Sequence, residues 1–436
     1  MHIASSVGII GTIPVGDVRL RRHIAKYVTM KIQQKLRSVK TALSERREAR
    51  KRLRGPAQLR YAIADSIGML DAAAWKGLTD QAGFFLSYDY LRRIESVLPS
   101  NLDPRYALVY EDEQPVAAIY MQIADIKLAQ ASKASLGQLG ETLRQRVLTC
   151  GNLLTFGQHG IAFAPGVDPE LAWHGVAEVL YRVRQAEKLA GEANFVMIKD
   201  LHGPQAEDAA FLKNLSYRFV ETEPNMVLTL GDDWKTYDDY LAGLASKYRA
   251  NIRNGVFKPI EQAECTVEHF TGMAEMQHEI HALYKAVQVN AGFRPFELLP
   301  EYFPALQEAA GERFRCSIVK REGKMLGFLV TIADGETAIA FHVGFDRAAA
   351  ADLPIYLRLL HAGIADAISL GCKRISFGRT ALEPKAALGA KPEAFGVLIR
   401  HRQPLMNKLI KHLLLNIDHD EAPDRSPFKK SEGKAA

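Results

Sequence analysis

Residues 337–346 read TAIAFHVGFD, and residues 347–354 (RAAAADLP) lead to IYLRLLHAGIADAISLG at 355–371 and KRISFGRT at 373–380. This stretch decides the fold, because its pattern changes from an apolar strand to an amphipathic helix and back to a strand. Gly371 follows the helical pattern, where a helix C-terminus favours a residue with positive φ. A strand, a helix and a strand of this length predict two parallel strands joined by a right-handed crossover.

Polar and aromatic residues at the carboxyl ends of these strands are expected to share one cleft. Ligands of such strand–helix–strand units bind outside the carboxyl ends of the strands, beside the helix N-terminus. We therefore expect Phe345, Asp346, Tyr356 and Arg379 to lie near a single site. A loop that carries Lys385 follows the second strand.

The length and composition of the chain place it among soluble globular proteins with more than one domain. With 436 residues it exceeds one ordinary hydrophobic core, and 47% hydrophobic and 24% charged residues are typical of this class. No apolar run approaches the ~18–20 residues that span a bilayer. Its four cysteines lie far apart, which indicates free thiols in a reducing cytoplasm and neither a disulfide framework nor a metal site.

A basic segment lies near the start of the chain. Residues 17–54 contain fourteen Lys or Arg against three acidic residues, so a net charge of +6 combines a basic arm with a mildly acidic remainder. Apolar residues recur every three or four positions, which predicts a basic amphipathic helix. Three interpretations stay open: packing on its own protein or a dimer partner, docking on an anionic membrane surface from the cytoplasmic side, and binding of a nucleic acid such as tRNA.

The order of elements in the first half repeats in the second half. Residues 105–128 alternate around a turn and predict a hairpin. We further predict a strand over LLTFGQHGIAFAPG at 153–166 and two closing strands over RFVETEPNMVLTL at 218–230. After residue 232 the pattern again gives helices, a hairpin with one more strand, a helix and a strand, which indicates two similar α/β units.

The predicted organisation has four parts. Residues 1–56 are a flexible start and the basic helix, residues 57–231 the first unit, and residues 232–417 the second unit, in which we expect the reaction centre. Residues 418–436 are charged and predicted to be disordered.

Four stretches together resemble the GNAT (N-acetyltransferase-like) superfamily, in the branch with two tandem GNAT units. They are YLAGLASKYRANIRN at 240–254, HEIHALYKAVQVNAGF at 278–293, residues 336–380 and PKAALGAKP at 384–392. That branch includes Fem-type aminoacyltransferases that build peptidoglycan bridges, and acyltransferases of the peptidoglycan biosynthesis/recognition type. The implied fold class is α/β with mixed sheets in two tandem GNAT-like units.

The resemblance implies acyl transfer to an amine. GNAT proteins separate two parallel strands so that a backbone N–H of the first polarises the donor's carbonyl, and a glycine-rich loop holds the pyrophosphate of an acyl-coenzyme A donor. Here the strand would be residues 338–345 and the loop residues 347–353, beginning at Arg347. This loop contains no glycine. Fem-like donors can be aminoacyl-tRNAs, so both donor classes stay open.

Three residues are candidates for moving protons or orienting the amine. His342 lies in the predicted strand and is either a general base or a hydrogen-bonded strand histidine. Asp346 either orients the incoming amine or caps a turn. The tyrosine that many GNAT enzymes carry after the second strand is missing, and Tyr356 is the nearest hydroxyl in sequence.

Six cationic residues and one aromatic residue are candidates for binding. Phe345, Arg347, Arg379 and Lys385 would contact the donor at the strand ends. Arg249 and Arg253 share a helix face, with Lys247 to one side, and either bind an anionic substrate or form salt bridges between the units.

The expected function is an N-acyltransferase whose acceptor is an amine on a bulky molecule, such as a cell-envelope precursor or a lipid. No serine or cysteine hydrolase signature, Walker loop or HExxH motif occurs. The alternatives are an aminoacyl-tRNA-dependent transferase and a non-catalytic protein that uses the same fold to bind or assemble.

Overall fold

The computed structural model describes residues 30–31, 33–45, 47–48, 51, 55–127, 144–289, 295–414, 423 and 425–429. Residues 57–436 form one compact unit and the first 56 residues form another. In the smaller unit residues 33–45 are helical, and Leu36, Val39 and Leu43 of the predicted apolar stripe are exposed. The predicted flexible start and the rest of the basic segment lie largely outside the described residues.

Fifteen strands occur in the described part of the chain. They are β1 Arg60–Ala64, β2 Leu102–Glu111, β3 Gln114–Lys127, β4 Arg144–Cys150, β5 Ile161–Phe163, β6 Phe195–Leu201, β7 Arg218–Glu221, β8 Asn225–Thr229, β9 Thr266–His269, β10 Phe314–Arg321, β11 Lys324–Asp334, β12 Thr337–Phe345, β13 Arg374–Ser376, β14 Lys391–Glu393 and β15 Gly396–His401.

Helices cover both sheets and connect their strands. They are α1 Ala72–Thr79, α2 Tyr88–Ile94, α3 Pro169–Ala186, α4 Gly203–Asp208, α5 Tyr237–Gly243, α6 Ser246–Ile252, α7 Lys258–Gln262, α8 Gln277–Gln288, α9 Tyr302–Ala310, α10 Arg347–Asp352, α11 Ile355–Ser369, α12 Leu382–Ala387 and α13 Pro404–Leu414. A π-helical turn, Arg253–Phe257, joins α6 to α7.

The two sheets have the same topology. The first has the order β1-β2-β3-β4-β6-β15-β7, with β5 beside β3, and the second has the order β9-β10-β11-β12-β13-β8-β14. In both sheets the fourth and fifth strands are parallel, while the other neighbours on the main path are antiparallel. The predicted repeat of two similar α/β units is therefore present as a repeat of sheet topology.

The two sheets exchange one strand. β7 stays in the first sheet, whereas β8, three residues later in the chain, pairs with β13 in the second sheet. In return β14 pairs with β8, and β15 crosses back to pair with β6 and β7. The two predicted closing strands therefore exist but belong to different sheets. A boundary near residue 231 separates the two halves of the sequence, but each sheet contains a strand from the other half.

The strand–helix–strand prediction for 337–380 is confirmed, since β12 and β13 are parallel and α11 connects them. Gly371 has φ of 69° after the end of α11, as its position predicted. The predicted hairpin is formed by β2 and β3. The predicted strand over 153–166 is wrong, because only the short β5 lies there and the long strand, β4, precedes it.

One apolar core is shared by the two halves of the chain. It includes Trp75, Phe85 and Tyr90 from the first half and Tyr302 and Phe328 from the second. Ring contacts cross the junction, as the centroids of Phe85 and Phe341 lie 4.9 Å apart. Aromatic pairs of this kind add to the free energy of burial, so the halves stabilise each other.

Part of the predicted disordered tail is ordered. Phe428 is partly buried against Trp234 and Tyr240, and the Ala245 N–H donates to the Pro427 carbonyl at 2.9 Å. The charged composition around Phe428 led to the wrong expectation for residues 425–429, because one aromatic side chain suffices to anchor a short segment on an apolar surface. Most of the remaining tail lies outside the described residues.

No helix in the described part of the chain is long and apolar enough to cross a membrane. All four cysteines are described and are free thiols, three of them buried.

The strand exchange predicts that a core residue late in the sequence stabilises the first sheet. Leu398 of β15 is 1% exposed in the first sheet's core, so Leu398→Ala should lower the free energy of unfolding by about 2–5 kcal/mol. In this variant amide hydrogen exchange should accelerate more in β6, which pairs with β15, than in β13. Leu405→Ala, at a side chain that is 71% exposed, is the control and should change little. Loss of amide protection confined to β13 would contradict the strand exchange between the two sheets.

Candidate functional site

The two parallel strands of the second sheet separate soon after they meet. β12 pairs with β13 only from Thr337 to Ile339, although β12 continues to Phe345. After Ser376 the chain follows β8 instead, and the Phe377 N–H donates to the Met226 carbonyl at 2.8 Å. The β12 edge from residue 340 onward thus has no strand partner on this side among the described residues. The predicted opening between the strands is present.

An irregularity in β12 lies at the point of separation. Val330 of β11 is opposite His342 and Thr331 is opposite Ala340, so Phe341 is the extra residue of a β-bulge. Bulges redirect side chains and interrupt pairing, and they are over-represented beside active sites.

A cavity of about 900 Å³ lies at this opening, between the two sheets. Most of its lining residues are apolar, from β4, β6 and β15 on one side and β12 and α11 on the other. Its titratable lining residues are Lys199, Tyr284, His342, Tyr356, Arg379 and Lys385. Large, mostly apolar cavities with a few polar groups are typical of small-molecule sites.

A second, more polar groove has a volume of about 1020 Å³. It shares five lining residues with this cavity, Tyr284, Gln288, Pro295, Phe296 and Leu298. Arg144 and Arg146 also line it. The two spaces therefore have a common wall.

Lys385 is the buried cation of the cavity. Its side chain, on α12, is 2% exposed, and its Nζ donates to the Gly378 carbonyl at 3.2 Å. No carboxylate pairs with it among the described residues. Burial therefore lowers its pKa to about 7, because nothing offsets the loss of hydration of the ammonium group. A lysine with this pKa is a substantial fraction neutral amine at physiological pH.

His342 lies in β12 among aromatic rings. The ring centroids of Tyr284, Tyr302 and Phe303 lie 6.0, 5.5 and 5.6 Å from its own. Its Nε2 is buried without a hydrogen-bond partner in the described part of the chain. Burial lowers the pKa of His342 to about 3, so its imidazole is neutral at physiological pH.

Tyr356 lies in the first turn of α11 and lines the same cavity. Burial raises its pKa to about 12, so its hydroxyl can donate but not act as a phenolate. Phe345 packs on Tyr356, with ring centroids 5.9 Å apart, and does not line the cavity.

Asp346 is a helix cap. Its Oδ1 accepts hydrogen bonds from the N–H groups of Ala348 at 2.9 Å and Ala349 at 3.2 Å, and Lys324 Nζ lies 3.1 Å from its Oδ2. The Ala349 N–H and then Lys324 lower the pKa of Asp346. It does not line the cavity, and of the two expected roles the structure displays the cap.

The segment expected to be a pyrophosphate loop is a helix. Residues 347–352 form α10, and its exposed first residue, Arg347, does not line the cavity. The expectation of a loop was wrong because four consecutive alanines after an aspartate cap favour helix.

The predicted cationic group, on α6 and the π-helical turn that follows it, lies apart from the cavity lining. Lys247 and Arg253 are exposed, and Arg249 donates to the Leu244 carbonyl and, at 3.2 Å, to the Ser246 hydroxyl. None of these three residues pairs with a carboxylate among the described residues. Their assignment to substrate binding stays a prediction.

Sequence reasoning missed Lys199 and Asp200 at the end of β6. Asp200 is fully buried and pairs with both Lys199 and Arg379. Burial alone would raise the pKa of Asp200, but the two cations outweigh it and lower this pKa. A Lys-Asp pair near a turn resembles an ordinary exposed strand end. The sequence therefore gives no signal for this pair. The structure marks it by the left-handed backbone conformation of Asp200.

Comparison with known proteins places this geometry in a class. Residues 246–386 match the family model described as "Acetyltransferase (GNAT) domain". The crystal structure of FemX is similar over 80% of this chain and 100% of that chain, with 12% identity and a TM-score of 0.51. At that identity the likeness shows the fold alone. The chain therefore has the predicted fold of two tandem GNAT-like units, and the family model covers part of the second unit.

Other solved structures cover similar lengths at lower scores. A tandem GNAT protein from the clavulanic acid biosynthesis pathway has 12% identity and a TM-score of 0.47, over 79% of this chain and 99% of its own. L-PGS from Bacillus licheniformis has 12% identity and a TM-score of 0.43, over 79% of this chain and 96% of its own. No curated protein matches the sequence.

The buried Lys385 predicts a stability that depends on pH. Its pKa is lower in the folded than in the unfolded chain, so the charged lysine destabilises the fold fully below about pH 7 and progressively less as pH rises toward its usual value of 10.5. Lys385→Met should therefore stabilise the protein, by up to about 5 kcal/mol near pH 6.

Urea unfolding at about pH 6 and about pH 9.5 checks this expectation, with the exposed Lys213→Met as control. An equal gain at both pH values would show that Lys385 is not a destabilising buried ammonium group.

Proposed function

We propose that the protein transfers an acyl group to an amine in the cavity between its two sheets. The observation that carries this proposal is the buried, partly neutral Lys385 at the opening of β12 and β13. The GNAT family match and the FemX-like fold support a transferase of this class.

Lys385 is the proposed general base. An amine attacks a carbonyl only after it loses its proton, and a base with a pKa near the working pH is best suited to take it. His342, with a pKa of about 3, is too weak a base, and Tyr356 stays protonated. Lys385, whose pKa of about 7 lies near physiological pH, suits this role.

The unpaired edge of β12 is the proposed oxyanion site. Backbone N–H groups that no strand partner uses can donate to the developing negative charge on the carbonyl oxygen, and they do so strongly in a largely apolar cavity. The Tyr356 hydroxyl, on the same cavity wall, is the proposed proton donor to the leaving group. The neutral His342 then positions the substrate through a hydrogen bond without carrying charge.

Coenzyme A does not fit the usual place beside this strand. The N–H groups of Ala348 and Ala349, which would hold a pyrophosphate there, already bond to the Asp346 carboxylate. A second anion would meet the charge of Asp346 and few free donors. We therefore propose an acyl donor that is recognised inside the cavity, through its acyl group.

Aminoacyl-tRNA is the second candidate donor. The occupied cap at Asp346 favours it over coenzyme A, and the basic segment 17–54 supplies charge for a phosphate backbone. The acceptor is proposed to be a bulky amine, because the polar groove beside the cavity offers room beyond the reaction centre. A cell-envelope precursor or a lipid amine stays a prediction, as do a cytoplasmic location and contact of the basic segment with an anionic membrane.

The proposed base predicts a specific pH profile. Incubation with acetyl-coenzyme A, palmitoyl-coenzyme A or alanyl-tRNA and a panel of amines, followed by mass spectrometry, should reveal an amide product. kcat/KM should rise with pH through a pKa near 7, and Lys385→Met should lower it at least about 100-fold and remove that pH dependence. The control Lys213→Met should behave like the unchanged chain. Absence of an amide from every donor, or full activity of Lys385→Met, would favour a non-catalytic binding protein.

The occupied cap predicts weak coenzyme A binding. Free coenzyme A should give no calorimetric heat at micromolar concentration, whereas Asp346→Ser, which keeps a capping hydroxyl and removes the charge, should bind it more tightly. Tight binding by the unchanged chain that Asp346→Ser does not affect would mean that coenzyme A is held elsewhere on the protein.

A further inference from the structure

Two cations reach the cavity from opposite halves of the chain and share one buried carboxylate. Lys199 comes from β6 of the first sheet, and Arg379 follows β13 of the second. Both line the cavity, whereas Asp200 lies behind them and is fully buried. The three residues together carry one net positive charge.

The hydrogen bonds of Asp200 fix both cations. Its Oδ2 accepts from the Gly157 N–H at 3.0 Å and from Lys199, and its Oδ1 accepts from Arg379. Lys199 Nζ also donates to the Thr155 carbonyl at 2.7 Å. Asp200 adopts φ of 56°, a costly conformation for this residue, which these contacts over-determine. Arg379 further stacks its guanidinium 5.5 Å from the centre of the Phe395 ring.

Both cations keep accessible side-chain surface, since the Lys199 side chain is 11% exposed and that of Arg379 is 18% exposed. An ammonium group has three N–H donors, and the hydrogen bonds of Lys199 use two of them. The Arg379 Nε is buried and has no acceptor in the described part of the chain. An excess cation in a largely apolar cavity costs free energy unless a ligand supplies the counter-charge.

The charge and surroundings of this pair define the ligand group. One excess positive charge matches one monoanion, and a lysine ammonium with an adjacent guanidinium N–H presents donors to the two oxygens of a carboxylate. A phosphate dianion would leave one negative charge uncompensated in a mostly apolar cavity. The Lys385 Nζ contacts the carbonyl of Gly378, the residue next to Arg379, so this pair and the proposed base lie at the same end of the cavity.

We propose that Lys199 and Arg379 bind a carboxylate of the amine acceptor. Resting on the proposed function, this assignment makes the acceptor an amino acid or a peptide-like molecule whose carboxylate is close to the reacting amine. The apolar walls would hold its side chain or the incoming acyl group. Asp200 positions the two cations and does not contact the ligand.

Binding of small probes to the full chain tests this assignment without any donor. Calorimetry with L-leucine should show binding, and L-leucinamide, which lacks the carboxylate, should bind at least about tenfold more weakly. Lys199→Met removes the excess charge and leaves Asp200 paired with Arg379, so it should abolish the preference for leucine. Lys199→Arg should retain the preference, and the exposed Lys213→Met is the matched control.

Several results would overturn the carboxylate site. They are no leucine binding at millimolar concentration, equal binding of leucine and leucinamide, or an unchanged preference in Lys199→Met while circular dichroism shows a folded protein. If Lys199→Met fails to fold, Arg379→Lys replaces it, because that variant keeps the charge and loses the planar guanidinium group. It should weaken the preference for leucine, and an unchanged preference would overturn the site. Inorganic phosphate that binds more tightly than leucine and is lost in Lys199→Met would assign the site to phosphate instead.

The transfer assay separates this inference from the proposed function. A leucine preference that Lys199→Met abolishes, with no amide product from any donor, would support the carboxylate site and contradict acyl transfer. Equal transfer to leucine and leucinamide would support acyl transfer and overturn the carboxylate site.

Discussion

Backbone pairing between the two halves of the chain is the constraint on which the structure depends. Each sheet needs a strand beside its parallel pair, and each takes that strand from the other half, β15 for the first sheet and β8 for the second. Removing either strand would leave a row of buried N–H and C=O groups without partners, which is among the most costly defects in a folded protein. The short links between β7 and β8 and between β14 and β15 hold the sheets close. The cavity lies between them for this reason, and residues of both sheets line it.

Burial has two opposite effects on the ionisable residues of that cavity. Lys385 and His342 have no charged partner among the described residues, so the apolar surroundings shift both toward the neutral form. Asp200 is more deeply buried than most residues, yet it stays ionised because two cations contact it. One space thus contains a fixed ion cluster and a separate amine that can change its protonation state near neutral pH. A fixed charge suits binding, and a group that titrates near neutrality suits proton transfer.

The sequence predicted the elements whose pattern is local. β12, α11 and β13 were found because the apolar period changes at each boundary, and the β2–β3 hairpin because its turn is polar. β4 was missed, since the charged and polar residues among RQRVLTC obscure its alternation. The strand exchange could not be predicted, because the short TEP link between β7 and β8 is typical of a hairpin and only tertiary pairing decides otherwise. Of the cavity, His342, Arg379 and Lys385 were found from their places within or after predicted strands, and Tyr356 as the nearest hydroxyl in sequence, at the start of the predicted helix. The role of Asp200 depends on Arg379, 179 residues later, and has no local signal.

The composition of one short segment connects the fold with the proposed choice of donor. Glycine-rich loops bind pyrophosphate because glycine adopts the conformations that direct successive N–H groups at one anion. RAAAAD after Asp346 lacks those conformations and has high helix propensity, so it forms α10 and uses its first N–H groups for the aspartate cap. The same N–H groups cannot serve both the cap and a diphosphate. The alanines therefore explain the local helix, and the cap places negative charge where a related enzyme would need positive potential. In the proposed reaction, donor affinity then has to come from the acyl group within the apolar cavity.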